Sequence, residues 1–341
     1  MRIVTWNIQH GRANFAAFEG SFTAFEGSGA PAPKGPALGQ QTPARSGNEI
    51  RAEIRHPRGS AGRVDADLLA ESVRQLARLQ PDAIAFQEVD RFQPRSNWLN
   101  TPEVIARALP GYWFHYAPMF IGFAGGPRIA PPQVPVGSQS AFAKECAFAK
   151  KFCAARRVCT HSWPAYGLML ALREPPVAWK VARLGRAPLQ RIPQQTGWWA
   201  KTLGWRPLPG QNRSLLCAVQ ADGTVFATTH LEVHAPTARA QLRRSLELLQ
   251  PLGSPVVLCG DFNLGAQAVQ AQLPADSEVI SAPTYPVDAP TQSLDQVVIT
   301  PAPKGGTEYL TPPTERLTHP HANSVLLPVS DHRALYVETT Q

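Results

Sequence analysis

The sequence lacks the features that mark a membrane-spanning or exported protein. No stretch reaches the roughly 18 consecutive apolar residues that a bilayer-spanning helix requires. The first residues, MRIVTWNIQHG, contain no apolar core of a signal peptide and read at once as a strand. We therefore expect no transmembrane segment and a cytoplasmic location.

Cysteine is also scarce. Five cysteines in 341 residues are an odd and low number, which disfavours a disulfide framework. Three of them, Cys146, Cys153 and Cys159, precede His161, but their spacing lacks the close pair that is typical of structural zinc sites. The sequence therefore gives little support to a zinc site.

The chain has enough apolar residues for a large core, and it carries an excess of positive charge. Hydrophobic residues make up 43% of the chain and the formal net charge is +8. A basic balance favours polyanionic partners such as nucleic acid or acidic membrane surfaces, although many soluble proteins are also basic. No feature of the sequence indicates an obligate protein partner.

Two regions have a low-complexity composition. Residues 13–63 contain the tandem copies FAAFEGS and FTAFEGS followed by a Pro/Gly/Ala/Gln-rich run, and residues 122–163 contain the near-duplication AFAKECAFAKK. Such composition cannot bury a core of its own. We expect one domain over residues 1–341 with inserted, largely mobile loops at 13–63 and 122–163.

The remaining segments show the periodicity of strands and helices. Apolar residues at helical spacing predict a helix that Asp65 or Asp67 caps and that ends before Pro81. Further helices are predicted over 101–111, with Thr101 as the N-cap, and over 236–250. Strands are predicted at RIVTWNI, AIAFQEV, YWFHYAP, AYGLMLAL, VAWKVARL, SLLCAVQ, TVFATTHLE, VVLCGDFN, SLDQVVIT and HRALYVE. This pattern indicates a layered α/β protein, whose sites usually lie at strand ends.

Several of these strands end or begin with acidic, amide or imidazole side chains. The polar positions are Asn7, Glu88, His230, Asp261, Asn263, Asp295, Asp331 and His332. One such position is commonplace, because Asp and Asn often cap turns, but so many beside apolar runs are hard to explain as turns. Buried carboxylates that lie close together require a positive partner. Their oxygen ligands suit Mg²⁺ or Mn²⁺ rather than zinc.

The segment LPVSDHRALY at 327–336 places Ser330, Asp331 and His332 where a half-buried strand is expected to begin. Consecutive residues of a strand point to opposite faces, so these three side chains cannot form a Ser-His-Asp triad among themselves. We therefore expect Asp331 and His332 to contact different partners.

The motifs TWNIQHG, AIAFQEVDR, TTHLE, VVLCGDFN, SLDQVVI and VSDHRAL occur in this order along the chain. Together they resemble the endonuclease/exonuclease/phosphatase superfamily of deoxyribonuclease-like metal-dependent phosphoesterases, over residues 1–12 and 64–338. The resemblance implies an α/β fold, a four-layer α/β/β/α sandwich of two packed mixed β-sheets flanked by helices.

The same resemblance implies roles for individual residues. Glu88 matches the principal metal ligand of the family, with Asn7 and Asp331 close to the metal. Asp261 and Asn263 match residues that orient the attacking water or hold the phosphate. His332 matches a histidine paired with an acidic residue, here Asp295, and His230 matches one that reaches a phosphate oxygen or the leaving group.

Other positions indicate substrate contacts less specifically. Arg213 matches an arginine near the family's site and is predicted to bind phosphate, with a surface role as the alternative. His10 is predicted to contact substrate, with an ordinary loop position as the alternative. Two positions depart from the family: Leu168 follows Gly167 where many relatives have Asn, and Gln296 follows Asp295 where His or Tyr is frequent.

These features predict a Mg²⁺- or Mn²⁺-dependent phosphoester hydrolase that uses in-line attack of activated water. We favour a phosphodiesterase acting on nucleic acid, because the chain is basic and residues 144–157 form a basic run. The alternative is a lipid or small-molecule phosphoesterase, suggested by the tryptophans Trp198, Trp199 and Trp205. A non-catalytic binding module on the same scaffold is a third reading.

Overall fold

The computed structural model describes residues 1–14, 64–124, 126, 128–131, 163–188, 190–193, 205–208, 210–301 and 318–340. In this part of the chain the strands are β1 Arg2–Asn7, β2 Ala83–Arg91, β3 Trp113–Gly122, β4 Arg128–Ile129, β5 Ala165–Leu172, β6 Ala178–Gly185, β7 Gln190–Pro193, β8 Trp205–Leu208, β9 Arg213–Val219, β10 Val225–His230, β11 Val256–Asp261, β12 Glu278–Ser281, β13 Asp295–Thr300, β14 Thr318–Val325 and β15 Ala334–Thr340. The α-helices are α1 Ala66–Arg78, α2 Thr101–Ala108, α3 Ala235–Leu249 and α4 Ala266–Gln270.

The strands form two large mixed sheets. The seven-stranded sheet has the order β14-β15-β1-β2-β5-β3-β4, and the six-stranded sheet has the order β12-β13-β11-β10-β9-β6. Each sheet contains one parallel pair, β1 with β2 and β10 with β11, among antiparallel neighbours. Strands β7 and β8 form a separate antiparallel pair. The carboxyl ends of the two parallel pairs lie next to each other, because Asn7 at the end of β1 is hydrogen-bonded to Asp261 at the end of β11.

Strand β2 shows how the sequence produces the layers. Its alternating residues face opposite sides, as the two-residue period of a strand requires. Ala83 and Ala85 pack between the two sheets, whereas Ile84 and Phe86 pack on the outer face under the helices. Small residues on the inner face allow the sheets to approach closely, and large residues on the outer face fill the space beneath the helices.

The helices cover the two outer faces. The apolar stripe of α1, which includes Leu69 and Val73, packs on the seven-stranded sheet. The stripe of α3, which includes Leu242 and Leu249, packs on the six-stranded sheet. The architecture is the α/β/β/α sandwich that the sequence predicted. Among the described residues, no helix is both long and apolar enough to cross a bilayer.

The predicted helices are present with shifted ends. Asp65 caps α1, because its side chain accepts hydrogen bonds from the backbone N–H groups of Asp67 and Leu68 at 2.9 and 3.1 Å. The N-cap of α2 is Asn100 rather than Thr101, and this helix ends at Ala108 rather than at residue 111. Five strands were not predicted: β4, β7, β8, β12 and β14.

The borders of the predicted insertions also shift. Ala13, expected inside the first insertion, is buried and bridges Val329. Arg12 bridges Val64, so the chain leaves and returns at adjacent positions. The second insertion was expected from residue 122, but β4 lies within it. Most of both insertions, including the repeats, the basic run 144–157 and the three cysteines with His161, lies outside the described residues. The single-domain prediction stays a prediction.

Gly260, the glycine of the GDFN motif, provides a test of the fold around the strand end. Its φ is +149°, and a β-carbon at this position would overlap the carbonyl oxygen of Thr229 on the neighbouring strand. Gly260→Ala should therefore lower the free energy of unfolding by at least about 2 kcal/mol, because backbone must move to remove the overlap.

Chemical denaturation measures this change, and Gly265→Ala is the matched control. A β-carbon at Gly265 meets nothing within 4 Å, so the control should change stability by less than about 1 kcal/mol. Equal stability of the two variants would contradict the close approach of β10 and β11.

Candidate metal centre and active site

The site lies where the carboxyl ends of the two parallel strand pairs meet. Asn7 and Glu88 come from β1 and β2 of one sheet, and His230 and Asp261 end β10 and β11 of the other. Asn7 Nδ2 donates to Asp261 Oδ2 at 2.9 Å across the gap between the sheets. Sites at the carboxyl ends of parallel strands are common in layered α/β proteins.

Gln87 joins the two sheets directly beside Glu88. Its side-chain Nε2 donates to Thr5 Oγ1 and to Thr228 Oγ1, both at 3.0 Å, and all three residues are fully buried. Thr228 belongs to the opposite sheet. This buried network fixes the separation of the strand ends that carry Glu88 and His230.

Glu88 occupies a strained position in β2. The register of β2 against β5 shifts between Phe86 and Val89, and Glu88 has a left-handed φ of +59°. The side chain is 20% exposed. Burial, then the negative charge of Asp261, raises the pKa of Glu88 to about 7, and the charge of Asp331 adds to this effect. The carboxylate therefore lies where a cation would relieve strong unfavourable electrostatics.

Gln9 connects Asp331 to the residues around Glu88. Gln9 Nε2 donates to Asp331 Oδ2 at 2.9 Å, and the Gln9 backbone N–H donates to Asn7 Oδ1 at 3.1 Å. The predicted metal ligands Asn7, Glu88 and Asp331 are thus linked by contacts and by charge. Their hard oxygen atoms, surrounded by like charges, fit a divalent cation of the Mg²⁺ type.

Asp261 and Asn263 form a rigid turn after β11. Asp261 Oδ1 accepts the backbone N–H of Asn263 at 3.0 Å, and Asn263 Nδ2 donates to the carbonyl oxygen of Leu231 at 3.0 Å. Asn263 has a left-handed φ of +50°, a conformation that Asn tolerates better than most residues. The turn therefore presents Asp261 Oδ2 toward Asn7 and His230.

His332 and Asp295 form a close pair. His332 Nδ1 lies 2.7 Å from Asp295 Oδ2, which also accepts the hydroxyl of Thr284 at 2.6 Å. Burial opposes protonation of this imidazole, but the carboxylates of Asp295, Asp261 and Asp331 outweigh burial and raise the pKa of His332 to about 9. This pairing was predicted from the sequence.

The residues around Ser330 correct one part of the sequence interpretation. Residues 330–332 lie in bends, and strand β15 begins only at Ala334. The hydroxyl of Ser330 donates to the carbonyl oxygen of Asn7 and accepts the backbone N–H of His332. Asp331 and His332 contact different partners as expected, but a turn held by Ser330 separates them rather than the alternation of a strand.

Asp261, Asp295 and His332 form a second group that could hold a cation. One potential ligand atom from each lies within 4.8 Å of the others. However, His332 Nδ1 and Asp295 Oδ2 already bond to each other. Binding a metal through those two atoms would break a buried charge-assisted hydrogen bond. We therefore interpret this group as hydrogen-bonding side chains beside Glu88 rather than as the metal site.

His230 lies between the two main carboxylates. Its Nε2 is 3.5 Å from Asp261 Oδ2 and its Nδ1 is 3.9 Å from Glu88 Oε1. Burial, then the positive charge of Arg213, lowers the pKa of His230 to about 3. Its Nδ1 has no hydrogen-bond partner in the described part of the chain. The ring is held in the site with one nitrogen still available.

The two predicted substrate-binding residues also reach the site. His10 Nε2 lies 3.2 Å from Glu88 Oε2, so His10 is not an ordinary loop residue. Arg213 is 5% exposed and its guanidinium is 3.4 Å from Glu232 Oε1. This burial contradicts a surface role for Arg213. Its Nε and Nη1 atoms have no acceptor among the described residues.

Sequence reasoning missed several residues of the site region: Gln9, Gln87, Asp90, Arg95 and Tyr166. Asp90 was visible in the quoted motif AIAFQEVDR, but its partner Arg95 lies in a turn with no periodic pattern. The departures from the family have structural explanations. Leu168 is fully buried between the sheets, and Gln296 Nε2 donates to the carbonyl oxygens of Leu264 and Ser293.

The cysteines that are described have no catalytic environment. Cys217 and Cys259 are free and buried, and burial raises the pKa of each thiol to about 12. Of the three tryptophans that suggested the lipid alternative, Trp198 and Trp199 lie outside the described residues, and Trp205 begins β8.

Replacement of Glu88 tests the metal centre without measuring turnover. Glu88→Gln should not lower the melting temperature in chelator, because it removes a charge that burial and the neighbouring Asp261 both disfavour. Mg²⁺ or Mn²⁺ should raise the melting temperature of the parent, since a ligand at 100 times its Kd stabilises by about 2.7 kcal/mol. The variant should lose most of this increase.

The exposed carboxylate Glu247 on α3 supplies the control. Glu247→Gln should keep the full metal-dependent increase. An increase in Glu88→Gln equal to that of the parent would place the cation elsewhere.

Comparison with known proteins agrees with this arrangement. The model of the Endonuclease/Exonuclease/phosphatase family matches residues 4–332. No curated protein matches the sequence. Among solved structures, an endonuclease/exonuclease/phosphatase family protein from Bacteroides thetaiotaomicron has 12% identity and a TM-score of 0.51, over 99% of this chain and 94% of that chain.

Two further solved structures have lower TM-scores. The mannosyl-6-phosphatase Bt3783 of Bacteroides thetaiotaomicron has 12% identity and a TM-score of 0.49, over 100% of both chains. A humanized TDP2 of D. rerio has 15% identity and a TM-score of 0.44, over 100% of this chain and 99% of that chain. The likeness in fold rests on the first structure.

Proposed function

Because this chain belongs to the Endonuclease/Exonuclease/phosphatase family, we propose that it cleaves phosphodiester bonds of nucleic acid. The coarser activity follows from the family itself: the protein is a divalent-metal-dependent hydrolase of phosphate esters. The observation that supports phosphoester chemistry at this site is the meeting of Asn7, Glu88, His230 and Asp261 at the strand ends of both sheets, beside the pair of Asp295 and His332.

Glu88, Asn7 and Asp331 would hold the cation, with Mg²⁺ or Mn²⁺ as the proposed ion. When bound, such an ion offsets the charge that develops on the phosphoryl oxygens and lowers the pKa of water. The carboxylate of Glu88 is the ligand best placed for this role, because burial and then the charges of Asp261 and Asp331 disfavour its charged state when no cation is present.

Asp261 and Asn263 would position the attacking water on the side opposite the leaving group. Asp261 Oδ1 is fixed by the N–H of Asn263, whereas Asp261 Oδ2 faces the site. A carboxylate oxygen in that position accepts a hydrogen bond from water and directs its lone pair toward phosphorus.

His332 and His230 would contact the phosphate from the other side. Asp295 accepts from His332 Nδ1, which fixes the ring and leaves Nε2 for a phosphate oxygen. His230 has a free nitrogen between Glu88 and Asp261 and would reach the leaving oxygen or a phosphate oxygen. Hydrogen-bond donors fixed before the reaction stabilise the charge of the transition state.

The choice of nucleic acid rests on charge. The formal net charge of +8 favours a polyanion, and the buried cation Arg213 has two N–H-bearing atoms without an acceptor among the described residues. We propose Arg213 and His10 as substrate contacts. The cytoplasmic location expected from the sequence stays a prediction.

A lipid or small-molecule phosphoester is the second candidate, and one surface favours it. The aromatic pair of Trp98 and Phe123 is exposed, with ring centroids 5.9 Å apart in an edge-on arrangement, and Trp98 is 56% exposed. Large exposed apolar side chains can contact acyl chains or planar leaving groups.

Cleavage assays separate the two candidates. With Mg²⁺ or Mn²⁺, the parent should nick plasmid DNA and shorten single-stranded oligonucleotides, and chelator should stop both reactions. Glu88→Gln and Asp261→Asn should each lower kcat/KM by at least about 100-fold, because each removes a charge that acts in the transition state.

Glu247→Gln is again the control and should cleave like the parent. Metal-dependent release of phosphocholine from sphingomyelin vesicles, without cleavage of any nucleic acid, would reject the nucleic-acid proposal and favour the lipid candidate. Unchanged hydrolysis of bis-p-nitrophenyl phosphate by Glu88→Gln and Asp261→Asn together would reject the assignment of the site.

A further inference from the structure

Beyond the metal centre, the structure contains a fixed arginine whose position no part of the reaction described above explains. Arg95 lies in the turn Pro94–Ser96 that follows β2, only seven residues after Glu88. We infer that Arg95, held by Asp90 and Tyr166, forms a subsite for a second phosphate of the substrate. This inference rests on the proposed function and extends it from one phosphate to two.

Asp90 fixes the guanidinium of Arg95 in two places. Arg95 Nε donates to Asp90 Oδ2 and Arg95 Nη2 donates to Asp90 Oδ1, both at 2.8 Å. Asp90 is fully buried. A bidentate pair of this kind sets the plane of the guanidinium as well as its position. Arg95 has therefore lost most of its side-chain freedom before any ligand binds.

Tyr166 supports the same guanidinium from its ring face. The Arg95 Cζ atom lies 5.1 Å from the centroid of the Tyr166 ring, which is itself stacked on Phe120 at 5.3 Å. Tyr166 also lies 5.9 Å from the ring of His10, and His10 contacts Glu88. Glu88, His10, Tyr166 and Arg95 thus form a continuous row from the metal centre outward.

One side of the guanidinium remains free. Arg95 Nη1 donates no hydrogen bond within the described part of the chain, and the side chain is 35% exposed. The positive charge of Arg95 also reaches the site despite Asp90, because it opposes the rise in the pKa of Glu88 and adds to the effect of burial in lowering the pKa of His10.

The geometry and charge of this group indicate the ligand. A guanidinium amino group bears two N–H donors and matches the oxygen atoms of a phosphate. Because the proposed reaction places one phosphate at the Glu88 position, we infer that the anion at Arg95 is a second group on the same molecule. In a nucleic acid this group is the phosphate next to the one that is hydrolysed, and in a small molecule it is a second phosphate ester.

Binding of matched ligand pairs tests the subsite without turnover. Calorimetric titration in Mg²⁺ compares thymidine 3′,5′-bisphosphate with thymidine 5′-monophosphate, with ligand integrity checked by mass spectrometry. The parent should bind the bisphosphate at least about tenfold more tightly, the size expected for one charge-assisted contact. Arg95→Met should reduce this ratio to near one, and Arg95→Lys should leave an intermediate ratio.

The ratio of the two affinities distinguishes recognition of the second phosphate from a general distortion of the site. A distorted site would weaken both ligands by the same factor and leave the ratio unchanged, which would overturn the inference. Arg95→Met leaves the buried carboxylate of Asp90 without its partner, so the double variant Asp90→Asn/Arg95→Met removes that charge and should show the same loss of the ratio. Arg107→Met, an exposed arginine of α2, should keep the ratio of the parent.

A second ligand pair separates the two sources of the anion. Fructose 1,6-bisphosphate and fructose 6-phosphate provide the small-molecule comparison. An Arg95-dependent preference for the second phosphate in this pair alone would support the subsite and reject nucleic acid as the substrate. Equal affinity of the parent for both members of each pair would overturn the subsite, whether or not the protein cleaves nucleic acid.

Discussion

The burial of several carboxylates close to one another is the constraint on which the site depends. Burial first, and then the negative charges of Asp261 and Asp331, raise the pKa of Glu88 to about 7. Two unit charges 4 Å apart repel by about 4 kcal/mol at an effective dielectric constant of 20, which is comparable to a large part of the stability of a domain. A sequence that keeps such groups together needs a cation for that place, and a phosphate ester is the kind of substrate that such a cation polarises.

The fold brings these charges together by using the edges of two sheets rather than one loop. Each sheet contains one parallel strand pair, and the two pairs end beside each other. Gln87, the residue before Glu88, links the two sheets by a hydrogen bond to Thr228. The backbone around the site is also unusual, with left-handed φ angles at Gln9, His10, Glu88, Asn263 and Ser330. Such conformations are unfavourable and persist where surrounding hydrogen bonds hold them, as Ser330 does by contacting Asn7.

Much of the fold and of the candidate site could be predicted from the sequence, because each depends on a local signal. The alternating residues of β2 and the polar ends of apolar strands are visible without coordinates, and the order of the motifs indicated the family. The pair of Asp90 and Arg95 could not be predicted, because an arginine in an irregular turn has no periodicity that places it. The bend at Ser330 was not predicted, because the apolar residues on both sides of it have the pattern of a strand. The sequence could not decide whether Arg213 binds phosphate or lies on the surface, because the burial of this side chain depends on how β9 packs in the sheet.

The most direct measurement of the central claim is the position of a bound cation in a crystal. Anomalous scattering from a crystal grown with Mn²⁺ would locate the ion without reference to activity. The account predicts a peak bonded to the carboxylate of Glu88, with Asn7 and Asp331 next to it and the hydrogen bond between His332 and Asp295 intact. A peak bonded to Asp295 and His332 instead, with Glu88 uncoordinated, would contradict it.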